Sequence, residues 1–450
     1  MGTLYETGSI GKPVNGLQAP TKSLGGTLFD ASELIGNVAP SSCEVYDCDS
    51  LFKQSWHQLI VIGNGFDLEC GLASQFEDFF APRWKAVDQT NPEKPVQSTT
   101  AAMAETGLTV WDLILQGTDG GNWFDIEEAI KQWIVPGPMY APSLNGTVMR
   151  SRVDEILDCV HSSNAGSPLF RYRAPSGLEV VYVVAQCVIE KATVDDPTQI
   201  TRQDVYDFLL SELRRLEQQF DAYLTEEVED NEEYRSKASA LTKVLLRDEM
   251  PIDDLRRDYA HTILSFNYTR PCELSWKGVP VELVNVHGKL GSEIVFGIDY
   301  KDGSGILETL PFSKTYRLMG MGSPDLSAVV HGKGYSLGSE ATAIIKFYGH
   351  SLSDPDYSYF QAIFDAVGLY EGNTKLVFYY RPWARRDGST CTLKEAKEAT
   401  MGKVMKLLGS YGETMTNLSH GRNLIHKLLI EGRLSVKLLG QEPTTELLFH

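Results

Sequence analysis

Four short polar clusters, each following a run of branched or aromatic residues, carry the side chains in this sequence that are suited to chemistry. Ile263-Leu264-Ser265-Phe266 leads into Asn267-Tyr268-Thr269, and Val284-Asn285-Val286 leads into His287-Gly288. Lys346-Phe347-Tyr348 leads into Gly349-His350-Ser351-Leu352-Ser353-Asp354-Pro355-Asp356, and, earliest in the chain, Leu59-Ile60-Val61-Ile62 leads into Gly63-Asn64-Gly65-Phe66-Asp67. An imidazole such as His287 can accept a proton near neutral pH. The amide of Asn267 can hold hydroxyl groups and position water but cannot act as a base. Gly63 and Gly65 allow a sharp turn that exposes backbone N–H groups to an anion. The spacing lacks the full dinucleotide fingerprint G-x-G-x-x-G, because the next glycine is Gly71. Each cluster has an ordinary reading by itself: a tight turn, an amide tying a strand end to its loop, or Asp354 and Asp356 capping a helix that begins near Tyr357. Their succession at strand ends argues for a site.

These clusters meet only if the strands run parallel, since an open α/β sheet binds ligands beyond the carboxyl ends of its strands. Four consecutive apolar residues at 59–62 fit a strand buried on both faces. Further strand signals fall at 262–266, 281–286, 293–297, 342–348 and 374–380, with helical spacing at Tyr357, Phe360, Ile363, Phe364 and Val367. Alternation of this kind predicts an α/β fold with a Rossmann-like, mostly parallel sheet. The core is expected over residues 51–81 and 259–385, with an N-terminal arm over 1–50 rich in Gly, Pro, Ser and Thr.

The stretch 82–258 is too long for a simple crossover and reads as a large, mostly helical insertion. Asp125 and Glu128 read as a capping box, with Ile126, Ala129, Ile130 and Trp133 on one face, so that Glu127 is the acid this account leaves for chemistry. The strongest helix spans 201–224, with an acidic helix end or loop over 225–233, while 178–184 is β-like. Residues 386–450 are expected to form a C-terminal helical segment, with helices at 392–408 and 418–430 and a weak terminal strand.

Composition narrows the function classes. The 450 residues carry 60 acidic against 41 basic side chains, a net charge of −19, and such a field repels nucleic-acid backbones. The seven cysteines, Cys43, Cys48, Cys70, Cys159, Cys187, Cys272 and Cys391, are odd in number and form no C-x-x-C pair, which favours free thiols over disulfides or zinc. No apolar run reaches the roughly 18 residues of a membrane span, and no basic-then-apolar leader opens the chain. A cytoplasmic protein without membrane or direct nucleic-acid partners is expected.

The motifs I-G-N-G-F-D-L (Ile62 to Leu68), W-F-D-I-E (Trp123 to Glu127), S-F-N-Y-T (Ser265 to Thr269), V-H-G (Val286 to Gly288) and Y-G-H-S-L-S-D-P-D (Tyr348 to Asp356) together resemble the AbiH family of bacterial abortive-infection proteins. The resemblance runs from about residue 59 to 380, and the N-terminal arm lies outside it. The order of motifs is also similar to the broader sirtuin-like group, which binds NAD on a Rossmann-like sheet and whose defence members hydrolyse it. That resemblance implies Asn267 and His287 as the catalytic pair and Gly63, Asn64, Gly65, Phe66 and Asp67 as the dinucleotide turn. Gly349, Ser351 and Asp356 would border the adenosine half. The group's Gly-Ala-Gly opening is Gly63-Asn64-Gly65 here, and the cysteine quartet of its deacetylases is missing, which argues against a zinc-containing deacylase.

Nicotinamide leaves NAD as a neutral base, so cleavage needs no general acid. Positioned acid–base help from a group such as His287 is worth roughly 10²–10⁴ in rate. The implied function is an antiphage effector that hydrolyses NAD, taken as substrate, to nicotinamide and ADP-ribose, with no metal. Two alternatives stand beside it: a non-enzymatic module that senses NAD, ADP-ribose or another nucleotide, and a nucleotide hydrolase in which Glu127 or Asp67 binds a metal. A toxic hydrolase must be restrained, so a phage-derived or host protein is expected as trigger, and a homo-oligomer is compatible with the sequence.

Overall fold

Strand β1 (Gln54–Ile62) lies at the middle of the fold because its branched residues are buried on both faces. Leu59 and Val61 pack with Leu264, Phe347, Phe360 and Leu376, while Ile60 and Ile62 pack with Phe66, Tyr234, Leu245 and Ile263. Each such side chain contributes about 1.5–3 kcal/mol on burial. The computed structural model describes residues 54–87, 95–116, 126–140, 147–162, 178–251, 257–270, 275–276, 278–299, 302, 306–321, 329–330, 342–385 and 388–440. The other strands among them are β2 (Gly137–Tyr140), β3 (Thr147–Arg150), β4 (Arg257–Ser265), β5 (Ser275–Trp276), β6 (Val279–Asn285), β7 (Thr342–Tyr348), β8 (Lys375–Tyr380) and β9 (Leu434–Leu438).

The main sheet has the order β5-β6-β4-β1-β7-β8-β9. From β6 to β9 every pair is parallel, and only the short edge strand β5 is antiparallel. Counted along the chain, the six parallel strands stand in the order 3-2-1-4-5-6, the doubly wound arrangement of dinucleotide-binding folds. The chain fills one side of β1 and then crosses to the other, so a crevice opens beyond the carboxyl ends of β1 and its neighbours. Register makes this concrete: Ile62 pairs with Ser265 and Tyr348, and Ser265 pairs with Asn285. Those four residues form one row across the sheet, and the polar clusters follow directly after them.

Helices cover both faces, as an all-parallel core requires. Tyr357–Ala366, Leu393–Thr414 and Leu418–Ile430 supply Phe360, Phe364, Leu408, Leu424 and Leu428 to one side. Asn64–Glu69 and Glu232–Arg247 supply Phe66, Tyr234, Ala238 and Leu245 to the other. The expected helical insertion has its own core, in which Trp111, Ile114, Ile130, Val153, Val184, Tyr206, Leu213 and Phe220 are buried. Its longest helix, Arg202–Glu229, starts from a Thr201–Asp204 capping box and spans 28 residues, about 42 Å at 1.5 Å per residue. The acidic run expected after 224 is the end of this helix, and Asn231 caps the next one.

Two expectations are corrected. Residues 178–184 belong to the helix Leu178–Lys191, not to a strand. Val181, Val183, Val184, Ala185 and Val188 are all buried, so the run is apolar around most of the helix and loses the periodicity that separates a buried helix from a strand. Residues 293–297 form no strand either; Ile294 makes a single bridge to Gly288. Ile294, Phe296, Ile298 and Phe312 are instead buried in the insertion's core, so the segment after β6 fastens the sheet to the insertion. The Asp125 cap, the 1–50 arm, and Cys43, Cys48 and Cys272 lie outside the described residues. Cys70, Cys159, Cys187 and Cys391 are free thiols, and no helix among the described residues is long and apolar enough to cross a membrane.

Candidate functional site

Beyond the row of strand ends lies a cavity of about 660 Å³. Its floor begins with a contact between backbones. A Cβ on Gly65 would stand 2.7 Å from Gly349 Cα, and one on Gly349 would stand 2.4 Å from Phe66 N. Gly349 also has φ +67°, the left-handed region that glycine tolerates. The two turns are hydrogen-bonded across this seam: Gly63 N–H donates to Tyr348 O at 3.2 Å and Gly65 N–H to Gly349 O at 2.8 Å. Phe66 N–H donates to Gly63 O at 2.8 Å. The amides of Gly63, Gly65 and Phe66, expected to face a ligand, are therefore engaged within the protein, and close approach of β7's turn is what the glycines permit.

Asn267 and His287 occupy matching positions two residues beyond the paired Ser265 and Asn285, on adjacent parallel strands about 4.8 Å apart. The Asn267 amide donates to Gly63 O at 3.1 Å, while its buried Oδ1 has no partner. His287 Nε2 lies 3.0 Å from Asp356 Oδ1. That carboxylate also receives Lys314 Nζ at 3.3 Å, and His350 Nε2 stands 3.4 Å from its Oδ2. Lys314 continues to Glu127 through a second, shorter ion pair. Phe266 packs edge-on against both imidazoles, with ring centroids 5.5 Å from His287 and 4.4 Å from His350, and Tyr359 closes on His287 at 5.8 Å.

This network fixes protonation. Burial alone would raise Asp356, but the Lys314 charge and the bonds from His287 and His350 outweigh it and hold the carboxyl well below the usual range. An ionised carboxylate only accepts, so His287 carries its proton on Nε2. His287 is pushed down to about 4, first by burial and then by the Lys314 charge, against the opposing pull of Asp356. The imidazole is neutral at pH 7, and its Nδ1 is a buried lone pair with no partner among the described residues. In His350 the Leu352 N–H donates to Nδ1 at 2.9 Å, so that ring too presents Nε2–H to Asp356. Burial would lower Lys314, yet Asp356 and Glu127 hold it above its ordinary value.

A second buried carboxyl lies under the glycine turn. Asp67 accepts from Tyr234 Oη at 2.7 Å and from Thr269 Oγ1 at 2.7 Å. Burial raises it to about 6 in spite of those bonds and one from Asn267. Asn64 is tied to Ser74, whose Oγ donates to its Oδ1 at 2.6 Å, and Ser351 Oγ lies 2.8 Å from Ser353 Oγ.

Of the residues expected at the site, Gly63, Asn64, Gly65, Asp67, Glu127, Asn267, His287, Gly349, Ser351 and Asp356 line the cavity. Phe66 does not: it is buried in the core with its ring 6.3 Å from Tyr348. Asp356, expected at an adenosine half, is bonded to His287. Lys314 was not legible, because a lysine in a Ser-Lys-Thr-Tyr run looks like any helix start. His350 lies inside the Y-G-H-S-L-S-D-P-D motif, where the sequence pattern alone assigns it no role. Arg381, Trp383 and Lys403 also line the cavity. No curated protein and no solved structure matches the chain. The family model described as "Bacteriophage abortive infection AbiH" matches residues 59–380, from the centre of β1 to the end of β8, and the chain therefore belongs to the AbiH family.

Proposed function

We propose that this AbiH-family chain is an antiphage effector that hydrolyses NAD to nicotinamide and ADP-ribose. The observation that carries the reading is the unpartnered Nδ1 of His287, on an imidazole held through Nε2 by Asp356, together with the unpaired Oδ1 of Asn267, both residues lining one cavity. A buried acceptor left without a bond costs about 1–3 kcal/mol, and two such atoms in one cavity are accounted for if a bound molecule supplies their donors. The family's link to abortive infection, the 3-2-1-4-5-6 strand order and the motif order shared with the sirtuin-like group support a nucleotide as that molecule.

In the step proposed, Asn267 Oδ1 accepts from a ribose hydroxyl and holds the sugar. His287 Nδ1 takes a proton from water as the water oxygen bonds to the anomeric carbon. The C–N glycosidic bond breaks with its electron pair going to nicotinamide, and Asp356 stabilises the imidazolium that forms. The proton is then released to solvent, which balances NAD plus water against nicotinamide, ADP-ribose and H⁺. With the Gly63, Gly65 and Phe66 amides engaged, the phosphates fall to Lys403 and to Arg381, which also pairs with Glu69, both lining the same cavity. Glu127 and Asp67, the acids of the metal-dependent alternative, are already engaged by Lys314 and by Tyr234 and Thr269.

The test is release of nicotinamide from NAD by the purified chain, with and without extract of phage-infected cells as trigger. His287→Gln should lower the rate roughly 10²–10⁴-fold, the usual worth of a positioned base. Equal silence of wild type and variant in the presence of extract overturns the proposal.

A further inference from the structure

Lys314 is in a costly place. Its side chain is 5% exposed, and it stands at the first position of the helix Lys314–Gly320, capped by Ser313, where the helix dipole disfavours a cation. A buried charge persists only where partners compensate it. Its backbone is pinned as well: Ile298 N–H donates to Phe312 O at 3.0 Å and Lys314 N–H to Ile298 O at 3.1 Å. Its stem packs beside Gly297, but it is the ammonium that finds the charged partners. What the side chain reaches is Asp356, the acid that holds His287, on one side and Glu127, from the insertion helix Ile126–Ile134, on the other.

We infer that Lys314 is a positioning residue for the His287–Asp356 pair, and that Glu127 sets its strength from the insertion. Lys314 keeps Asp356 ionised, so His287 stays anchored through Nε2 with Nδ1 turned over to chemistry. Its positive charge also disfavours a proton on His287, which keeps the ring neutral. Glu127 offsets part of that charge and does so only while the insertion helix is docked. Among the described residues, the charged and titratable groups facing His287 are Asp356 from the segment before Tyr357–Ala366, His350 from the turn after β7, Tyr359 and Lys314, with Glu127 behind Lys314. The competence of the base therefore depends on an element outside the sheet.

The inference rests on the His287–Asp356 site but not on NAD as its substrate, and the experiment separates the two. In the full chain with ¹³C-labelled histidine, the His287 ring resonance is identified by its loss in His287→Gln and followed against pH without ligand. In the wild type it should remain in the neutral position down to about pH 5, given a midpoint of about 4. Lys314→Met should move that midpoint up by roughly one unit, the scale of a neighbouring charge. Lys314→Arg should leave it close to the wild-type position, and Glu127→Gln should move it down or hold it there, never up. A midpoint unmoved in Lys314→Met, or a rise in both Lys314→Met and Glu127→Gln, overturns the inference. If Lys314→Met does not unfold cooperatively, the arginine and Glu127 variants decide: a rise of half a unit or more in either one refutes the pair. Nicotinamide release is then measured on the same samples. Silence of all of them toward NAD after addition of extract from phage-infected cells, beside the expected ring shifts, would refute the NAD reading and leave the positioning pair standing.

Discussion

Replacing Gly349 by alanine tests whether β1 and β7 are joined as closely as the cavity floor implies. Two costs add. At φ +67° an L-residue is disfavoured by about 1–2 kcal/mol. The new Cβ would stand 2.4 Å from Phe66 N and 2.6 Å from Gly65 C, backbone atoms that cannot rotate away, and overpacking of this kind typically costs about 1–3 kcal/mol. Gly349→Ala should therefore destabilise the fold by roughly 2–5 kcal/mol, read as a lowered midpoint of urea unfolding at unchanged slope. Gly402→Ala is the control: it lies inside the helix Leu393–Thr414 with nothing within 4 Å of its would-be Cβ, and should stabilise by about 0.5–1 kcal/mol. Gly65→Ala pushes on the same seam, 2.7 Å from Gly349 Cα. The double variant Gly65→Ala/Gly349→Ala should cost less than the sum, since the first substitution already parts the turns. A Gly349→Ala protein within about 0.5 kcal/mol of wild type, the range of an indifferent surface change, would refute the reasoning.

Two further outcomes follow from buried charge. Asp67 is raised from 3.8 to about 6 by burial, so the folded state holds an extra proton between those values, and the group's contribution is present at low pH and lost as pH rises through about 6. Asp67→Asn should remove that slope, and its stability relative to wild type should grow between pH 4 and 6.5 by up to about 3 kcal/mol; a difference independent of pH in urea titrations would contradict this. Arg317 and Glu217 form a two-bond ion pair with side chains 3% and 4% exposed, and Glu217 also accepts from Phe296 N–H at 2.7 Å. Arg317→Met leaves that carboxylate stranded and should cost about 3–5 kcal/mol, while Arg317→Met/Glu217→Met should recover most of the loss; equal unfolding midpoints for the two variants would refute it.

What could be read from the sequence follows from how local each signal is. Thr342–Tyr348 and Leu418–Ile430 fall where the apolar pattern puts them, because a branched run flanked by polar residues and a three-four periodicity each state their element without help from elsewhere. Asn267, His287, Gly63 and Asp356 could be placed on one edge because parallel strands carry their carboxyl ends to one side. Residues 178–184 misled because a helix buried on most sides has no polar face to show its period. Lys314 and its bond to Asp356 span 42 positions, and Arg317 and Glu217 are 100 apart; no local pattern encodes such pairings, which exist only once the segment after β6 has docked into the insertion. The glycines illustrate a subtler limit. Their presence was legible, but whether they served an anion or another turn depended on Gly349, nearly three hundred residues away.

The glycine seam also decides which parts of the cavity can yield when a molecule enters or leaves. Two backbones already touch there, so β1 and β7 have no slack in which to slide or part. The surrounding walls are fastened differently, by side chains: Glu127 of the insertion to Lys314, and Lys406 of the helix Leu393–Thr414 to Asp354 at 2.7 Å. An exposed pair such as Lys406–Asp354 rearranges with its side-chain rotamers, far faster than a strand pairing opens. The floor is therefore the stiffer part of the cavity, and Asn267 is tied to it through Gly63 O, whereas the walls depend on side-chain ion pairs.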